Sequence, residues 1–148
     1  MSTIYEEIKK DHDLHRDLLD RLDKTSGDSP ERRELFEKLR VEMTAHANAE
    51  EQTFYASLIE DPETQEQARH SIAEHKETDD LLEELDEMAF DNPGWLAKFR
   101  KLKEELEHHM EEEEEEVFPE ARDVIESDNA EQLAGLFRDR EAEERESA

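Results

Sequence analysis

Histidine and glutamate recur in this chain at a spacing that suits metal chemistry. His46-Ala47-Asn48-Ala49-Glu50 and His109-Met110-Glu111-Glu112-Glu113 both read His-x3-Glu. Residues four apart lie on one helix face, about 40° apart around the axis, so each pair can reach a single site. The second pair follows the first by 63 residues (46 to 109), and much else obeys the same offset. His12 falls on His75; Leu18, Leu19 and Leu22 fall on Leu81, Leu82 and Leu85. Phe36, Leu39 and Met43 fall on Phe99, Leu102 and Leu106, and Phe54-Tyr55 on Val117-Phe118. The chain thus reads as one helical hairpin written twice, with a histidine on its first helix and His-x3-Glu on its second. Imidazole nitrogens and carboxylate oxygens are ligands for divalent cations, and a carboxylate can bridge two of them.

These side chains continue apolar stripes, which turns them inward. Tyr5, Ile8, His12, His15, Leu19 and Leu22 follow at helical spacing. Phe36, Leu39, Met43, His46, Glu50 and Phe54 form a second stripe. Ile72, His75, Leu82 and Leu85 form a third, and Phe99, Leu102, Leu106, His109, Glu113 and Val117 a fourth. A core carboxylate with no partner is costly, and two that face each other are worse. No Lys or Arg lies on these stripes, so a pair of metal ions is the expected counter-charge, held by His12, His46, Glu50, His75, His109 and Glu113. Glu113 lies within the run Glu111 to Glu116. The repeat and the stripe select it over Glu114, which lies about 100° further round. Glu51 and Glu114 are expected to be solvated or to stand behind the ligands. His15, one turn from His12, is a weaker candidate for the site. His70 is turned well off the His75 face, and His108, beside His109, should point to solvent. The competing reading is a metal-free bundle whose core histidines are merely hydrogen-bonded.

The elements that must position these groups follow from caps and breaks. Thr3-x-x-Glu6 is a capping box opening the first helix. Ser26-Gly27-Asp28-Ser29-Pro30 ends it and starts the second, with Ser29 as cap and Pro30 at the first helical position. Asp61-Pro62 marks a third start and Asn92-Pro93-Gly94 a fourth, with Asn92 as its cap. Pro119 should kink or end the fourth helix, and Asp128-x-x-Glu131 should cap a further one. The expected fold is all-α: an up-down-up-down four-helix bundle over residues 1–126, built from two hairpin repeats, then a short C-terminal helix and polar tail over 127–148. Arg138 to Ala148 are expected to fray.

Composition limits the partners. Among 148 residues, 46 acidic against 19 basic give a net charge of −27. Such a surface disfavours nucleic acid and anionic membranes and favours cations. Hydrophobic content is 33%, but it is periodic, so a folded core under a charged surface is expected. There is no Cys, hence no disulfide and no thiolate ligand. No run spans a bilayer and no signal peptide is visible, so a cytoplasmic protein is expected. Ferritin-like Glu-x-x-His occurs once, at Glu105 to His108, off the stripe. Nucleophile and phosphate-loop motifs are missing.

Asp11-His12, His46-x3-Glu50-Glu51 with Phe54-Tyr55, Glu74-His75, and His109-x3-Glu113-Glu114 with Val117-Phe118-Pro119 together resemble the hemerythrin-like, HHE cation-binding family. The resemblance runs from about Tyr5 to Pro119. It implies a non-haem di-iron centre in mid-bundle, with Glu50 and Glu113 bridging two iron ions and His12, His46, His75 and His109 completing the ligands. The family includes oxygen carriers, oxygen or redox sensors, and iron-responsive or repair proteins. Carriers have a second histidine four residues before the one matching His75, where this chain has Ser71, and His-x4-Asp on the fourth helix, where it has Glu114. His15 and His70 are the candidates for the missing histidine. The function expected is binding or sensing of O2, peroxide or NO rather than enzymatic turnover, and a sensor would need a separate protein partner. An iron buffer or delivery protein, or a weak O2- or peroxide-reducing enzyme, would use the same ligands. Mn or Zn also suits them.

Overall fold

The structure, a computed structural model, describes residues 2–148. It is all-helical, with no strand among the described residues. Helix α1 spans Ile4–Asp23 and α2 Pro30–Glu50. The chain then widens into a π-helical stretch, Glu51–Tyr55, before a short α3, Ala56–Ile59. Helices α4 (Gln65–Glu87) and α5 (Trp95–Glu112) repeat the plan, followed by a second π-helical stretch, Glu113–Val117, and α6, Phe118–Val124. Helix α7, Ser127–Ser147, closes the chain. Each first helix packs on its own second helix, and the two hairpins meet through α1 on α5 and α2 on α4. This is the expected four-helix bundle.

The local signals explain most boundaries. The Thr3 capping box forms in both directions, and Ser29 accepts the Arg32 N–H with Pro30 behind it. Two starts fall later than the caps suggest. Asp61 accepts the Glu63 N–H, and Asn92 the Gly94 N–H, so each closes a turn and helix begins afterwards, at Gln65 and Trp95. Pro119 does not end its helix. It enters at the first turn of α6, just after the π-helical stretch, where the wider turns absorb the loss of its N–H.

Two apolar clusters lie along the bundle with a polar layer between them. One holds the repeat-related Leu18, Leu19, Leu22, Phe36, Leu39 and Met43 with their partners Leu81, Leu82, Leu85, Phe99, Leu102 and Leu106. Trp95 seals it, stacked on Phe99 with the Arg32 guanidinium over its ring. The other holds Ile4, Tyr5, Ile8, Phe54, Tyr55, Val117 and Phe118. Burying one such side chain contributes about 1.5–3 kcal/mol, so each end anchors the helices that frame the layer.

The C-terminal segment corrects one expectation. It is a 21-residue helix, not a short one with a frayed tail. It packs across α1 and α2 on the stripe Ala130, Ala134, Phe137 and Glu141, all buried. Arg145 ties its last turns to Glu42 at 2.8 Å and to Glu141 at 3.3 Å. A stripe of two alanines, one phenylalanine and a glutamate carries little hydropathy signal, which is why the sequence reads as polar tail.

Candidate metal centre

The polar layer is built around Glu50 and Glu113, both 0% exposed. Each receives two imidazoles, one from its own helix and one from the first helix of a hairpin. Glu50 lies 3.1 Å from His46 Nε2 and 3.0 Å from His75 Nε2. Glu113 lies 3.0 Å from His12 Nε2 and 3.5 Å from His109 Nε2. All six expected residues therefore come together. They form two overlapping sets, His12-His46-Glu50-Glu113 and Glu50-His75-His109-Glu113, with the ligand atoms of each within 4.8 Å of one another. Both carboxylates belong to both sets. Among the described residues, no Lys or Arg pairs with either glutamate.

These groups approach without satisfying one another. His12 Nε2, His109 Nε2, both Glu50 oxygens and Glu113 Oε1 are buried with no hydrogen-bond partner. Buried polar atoms are nearly always paired. Four imidazole nitrogens converging on unsatisfied carboxylate oxygens fit divalent metal ions in their midst, and neutral imidazole with carboxylate suits iron among others.

The opposite ring nitrogens face an outer row of carboxylates, of which the sequence placed Glu51 and Glu114 in solvent or behind the ligands and left Asp11 and Glu74 without a role. His46 Nδ1 lies 2.8 Å from Asp11 and His109 Nδ1 2.9 Å from Glu74. His12 Nδ1 lies 2.6 Å from Glu114, which also pairs with Arg16 at 3.0 Å. His75 Nδ1 is only 3.5 Å from Glu51 and is not hydrogen-bonded. Such carboxylates fix the ring so that Nε2 faces the metal. The signal was present: Asp11 and Glu74 obey the 63-residue offset (11 to 74), as do Glu51 and Glu114 (51 to 114). One π-helical stretch begins just after the core Glu50 and the other at the core Glu113 itself, and such widened turns are frequent at functional sites.

Burial pushes every one of these imidazoles down, yet the carboxylates around them win. His109 is raised to about 10 by Glu113 and Glu74. His46 stands well above the ordinary range because of Glu50 and Asp11, and His12 and His75 are raised as well. Burial would raise Glu113, but His109 and His12 hold it well below the ordinary carboxylate range. The balance between these imidazoles and Glu113 therefore places the proton on imidazole rather than on the Glu113 carboxylate.

The remaining histidines are placed elsewhere. His15 is buried against the edge of the His46 ring, 5.1 Å between centroids, with Nε2 unpartnered. Burial, then the neighbouring His46, pushes it well below its usual range, and it belongs to neither ligand set. His70 and His108 are exposed. Tyr55 is an addition: its buried hydroxyl donates to Glu113 Oε2, and its ring lies edge-on to His75. The repeat puts Phe118 at the equivalent position, so no matching phenol hydroxyl reaches Glu50. Ser71, buried beside the Tyr55 hydroxyl, stands where the resemblance expects a carrier's further histidine.

Comparison with known proteins agrees with this geometry. The model of the hemerythrin HHE cation binding domain matches residues 3–121. The chain belongs to this family. A crystal structure of a hemerythrin HHE cation binding domain-containing protein from Mycobacterium kansasii superimposes with a TM-score of 0.89 at 27% identity, covering 99% of this chain and 90% of that one. The similarity thus continues beyond the matched domain into α7. A Nostoc sp. protein described as a DNA nickase is 29% identical over 138 residues, 91% of this chain. The chain spans only 38% of that relative's length. This HHE domain is thus a helical bundle whose core holds His/Glu clusters suited to metal ions.

Proposed function

We propose that this HHE-domain protein holds two iron ions between Glu50 and Glu113 and binds or senses a small ligand, O2 or its relatives peroxide and NO. The observation that supports this best is the sharing of both buried carboxylates by two sets of paired imidazoles. Iron held by such a donor set would supply Lewis acidity and a redox couple toward ligands of that size. His12, His46, His75 and His109 would hold the metals through Nε2, while Asp11, Glu74 and Glu114 keep a proton on Nδ1 and set the ring orientation. Tyr55 orients Glu113 by donating its hydroxyl hydrogen. The two apolar clusters keep bulk water from the ends of the layer. A groove between α2 and α4, of about 370 Å³ and bordered by Asn48, Glu51, Ile72 and His75, gives an approach from solvent.

The net charge of −27 supports the further reading that nucleic acid and anionic membrane are not partners. No helix among the described residues is long and apolar enough to cross a membrane. A cytoplasmic location remains our proposal.

Metal analysis with optical spectra under argon and under air tests the function. Two irons per chain and a reversible spectral change with O2 are expected. A single metal, or none, in protein purified with its native iron supply would refute the centre. An unchanged spectrum combined with rapid iron loss to a mild chelator would point instead to an iron buffer, and sustained turnover of peroxide with a reductant to an enzyme.

A further inference from the structure

A second His/Glu constellation lies outside the core, on the face where α4 meets α5. His70 and Glu74 are four apart on α4; His108 and Glu112 are four apart on α5. Each pair repeats, on the outside, the His-x3-Glu spacing of the inner site. The two pairs converge. His70 Nε2 lies 3.5 Å from Glu74 Oε2 and 3.2 Å from Glu112 Oε1, and His108 Nε2 lies 3.5 Å from Glu112 Oε2. Ligand atoms of His70, Glu74 and Glu112 all fall within 4.8 Å of one another. Glu112 Oε2 is buried and has no hydrogen-bond partner. Among the described residues, no Lys or Arg pairs with Glu74 or Glu112.

The first hairpin shows what this face looks like without the cluster. Subtracting 63 carries His70, Glu74, His108 and Glu112 onto Glu7, Asp11, Ala45 and Ala49. There the two small alanines are buried, and α7 lies over the face with Glu141 reaching Asp11 and His46. On the second hairpin no helix among the described residues covers the corresponding face; His108 and Glu112 stand where packing asked for alanine, His70 stands where the first hairpin has Glu7, and both histidines are exposed. Their exposure, 54% for His70 and 72% for His108, rules out a packing role.

We propose that His70, Glu74, Glu112 and His108 form an outer site for a first-row divalent cation. Two imidazole nitrogens with two carboxylates suit Fe(II), Co(II) or Zn(II) and are poor ligands for Mg or Ca, which prefer all-oxygen cages. Glu74 joins this site to the inner one. Its Oε1 accepts the His109 Nδ1 proton at 2.9 Å while its Oε2 faces the outer cluster. An outer cation thus sits one carboxylate and one imidazole from the core, where it can serve as a staging point for metal entering the bundle.

The test is equilibrium dialysis and visible spectroscopy of Co(II) binding to the protein as purified, with its inner metal in place. Wild type is compared with the double variant His70→Ala/His108→Ala. Wild type should take up one Co(II) per chain more than the variant, or bind it at least tenfold more tightly, with equal inner metal content and equal thermal stability in the two proteins. Equal Co(II) uptake would overturn the proposal, since it would mean adsorption on the acidic surface only. So would loss of inner metal without loss of Co(II) uptake. The readout is a difference between two proteins of matched inner content, so it stands or falls separately from the two-iron reading.

Discussion

Glu51 and Glu114 are repeat-related, yet the structure makes them unequal, and that inequality can be measured. Glu114 lies 2.6 Å from His12 Nδ1 and 3.0 Å from Arg16. Burial would raise its carboxyl, but His12 and Arg16 lower it to about 2. Glu51 lies 3.5 Å from His75 Nδ1, is not hydrogen-bonded to it, and is 31% exposed. A hydrogen bond between charged groups contributes about 1.5–3 kcal/mol, and loss of a carboxylate behind a metal-bound histidine lowers metal affinity about 10- to 100-fold. Glu114→Ala should therefore weaken metal binding by about that factor, whereas Glu51→Ala should stay within about 0.5 kcal/mol, as an ordinary surface change does. Competition with a chromogenic chelator measures both. The Glu114 contribution has a defined pH window as well. Its folded pKa is depressed, so the stabilisation is present above the ordinary carboxylate range and is lost as pH falls toward 2. Equal losses in the two variants, or a larger one in Glu51→Ala, would refute the claim that the Nδ1 contact decides the effect.

Glu50→Ala removes a carboxylate shared by both ligand sets, so at least one metal should be lost, and full occupancy by metal analysis would contradict the shared-ligand geometry. In metal-free protein, His109 is raised to about 10, so its stabilisation is complete below the ordinary imidazole range and disappears as pH rises through 10. The melting temperature of metal-free protein should fall between pH 7 and 10 while that of loaded protein changes less; calorimetry showing a flat metal-free profile would refute this. Metal loading should also release protons, because the imidazoles must give them up, and a pH indicator in weakly buffered solution reads the release. Phe137→Ala empties a fully buried position between α7 and the His46 ring and should cost about 3 kcal/mol in urea unfolding. A loss below about 1 kcal/mol would mean that α7 does not fold cooperatively with the bundle.

The offset of 63 residues made the bundle and all six inner residues legible, because a helical stripe that reads Phe, Leu, Met, His, Glu can face only one way. Periodicity specifies direction, and direction was enough to put Glu50 and Glu113 in the core. It does not specify which stripe meets which. That Glu50 draws on His75 rather than His12, and Glu113 on His12 rather than His75, follows from how the hairpins cross. The outer carboxylates Asp11 and Glu74 were hidden for the same reason. Asp11 reaches His46 and Glu74 reaches His109 across the helix interface, each over 35 residues of sequence. His15 lies on the stripe one turn from His12 but has no histidine as its repeat mate, which is Thr78, and it packs beside His46 outside both ligand sets with Nε2 unpartnered. Helix α7 was invisible as a packed element since its buried face is alanine, one phenylalanine and a glutamate, and only the small Ala45 and Ala49 of α2 give that face a place to rest. Side-chain periodicity is local and is written in the sequence. Which faces meet depends on long-range packing, and only the tertiary structure decides it.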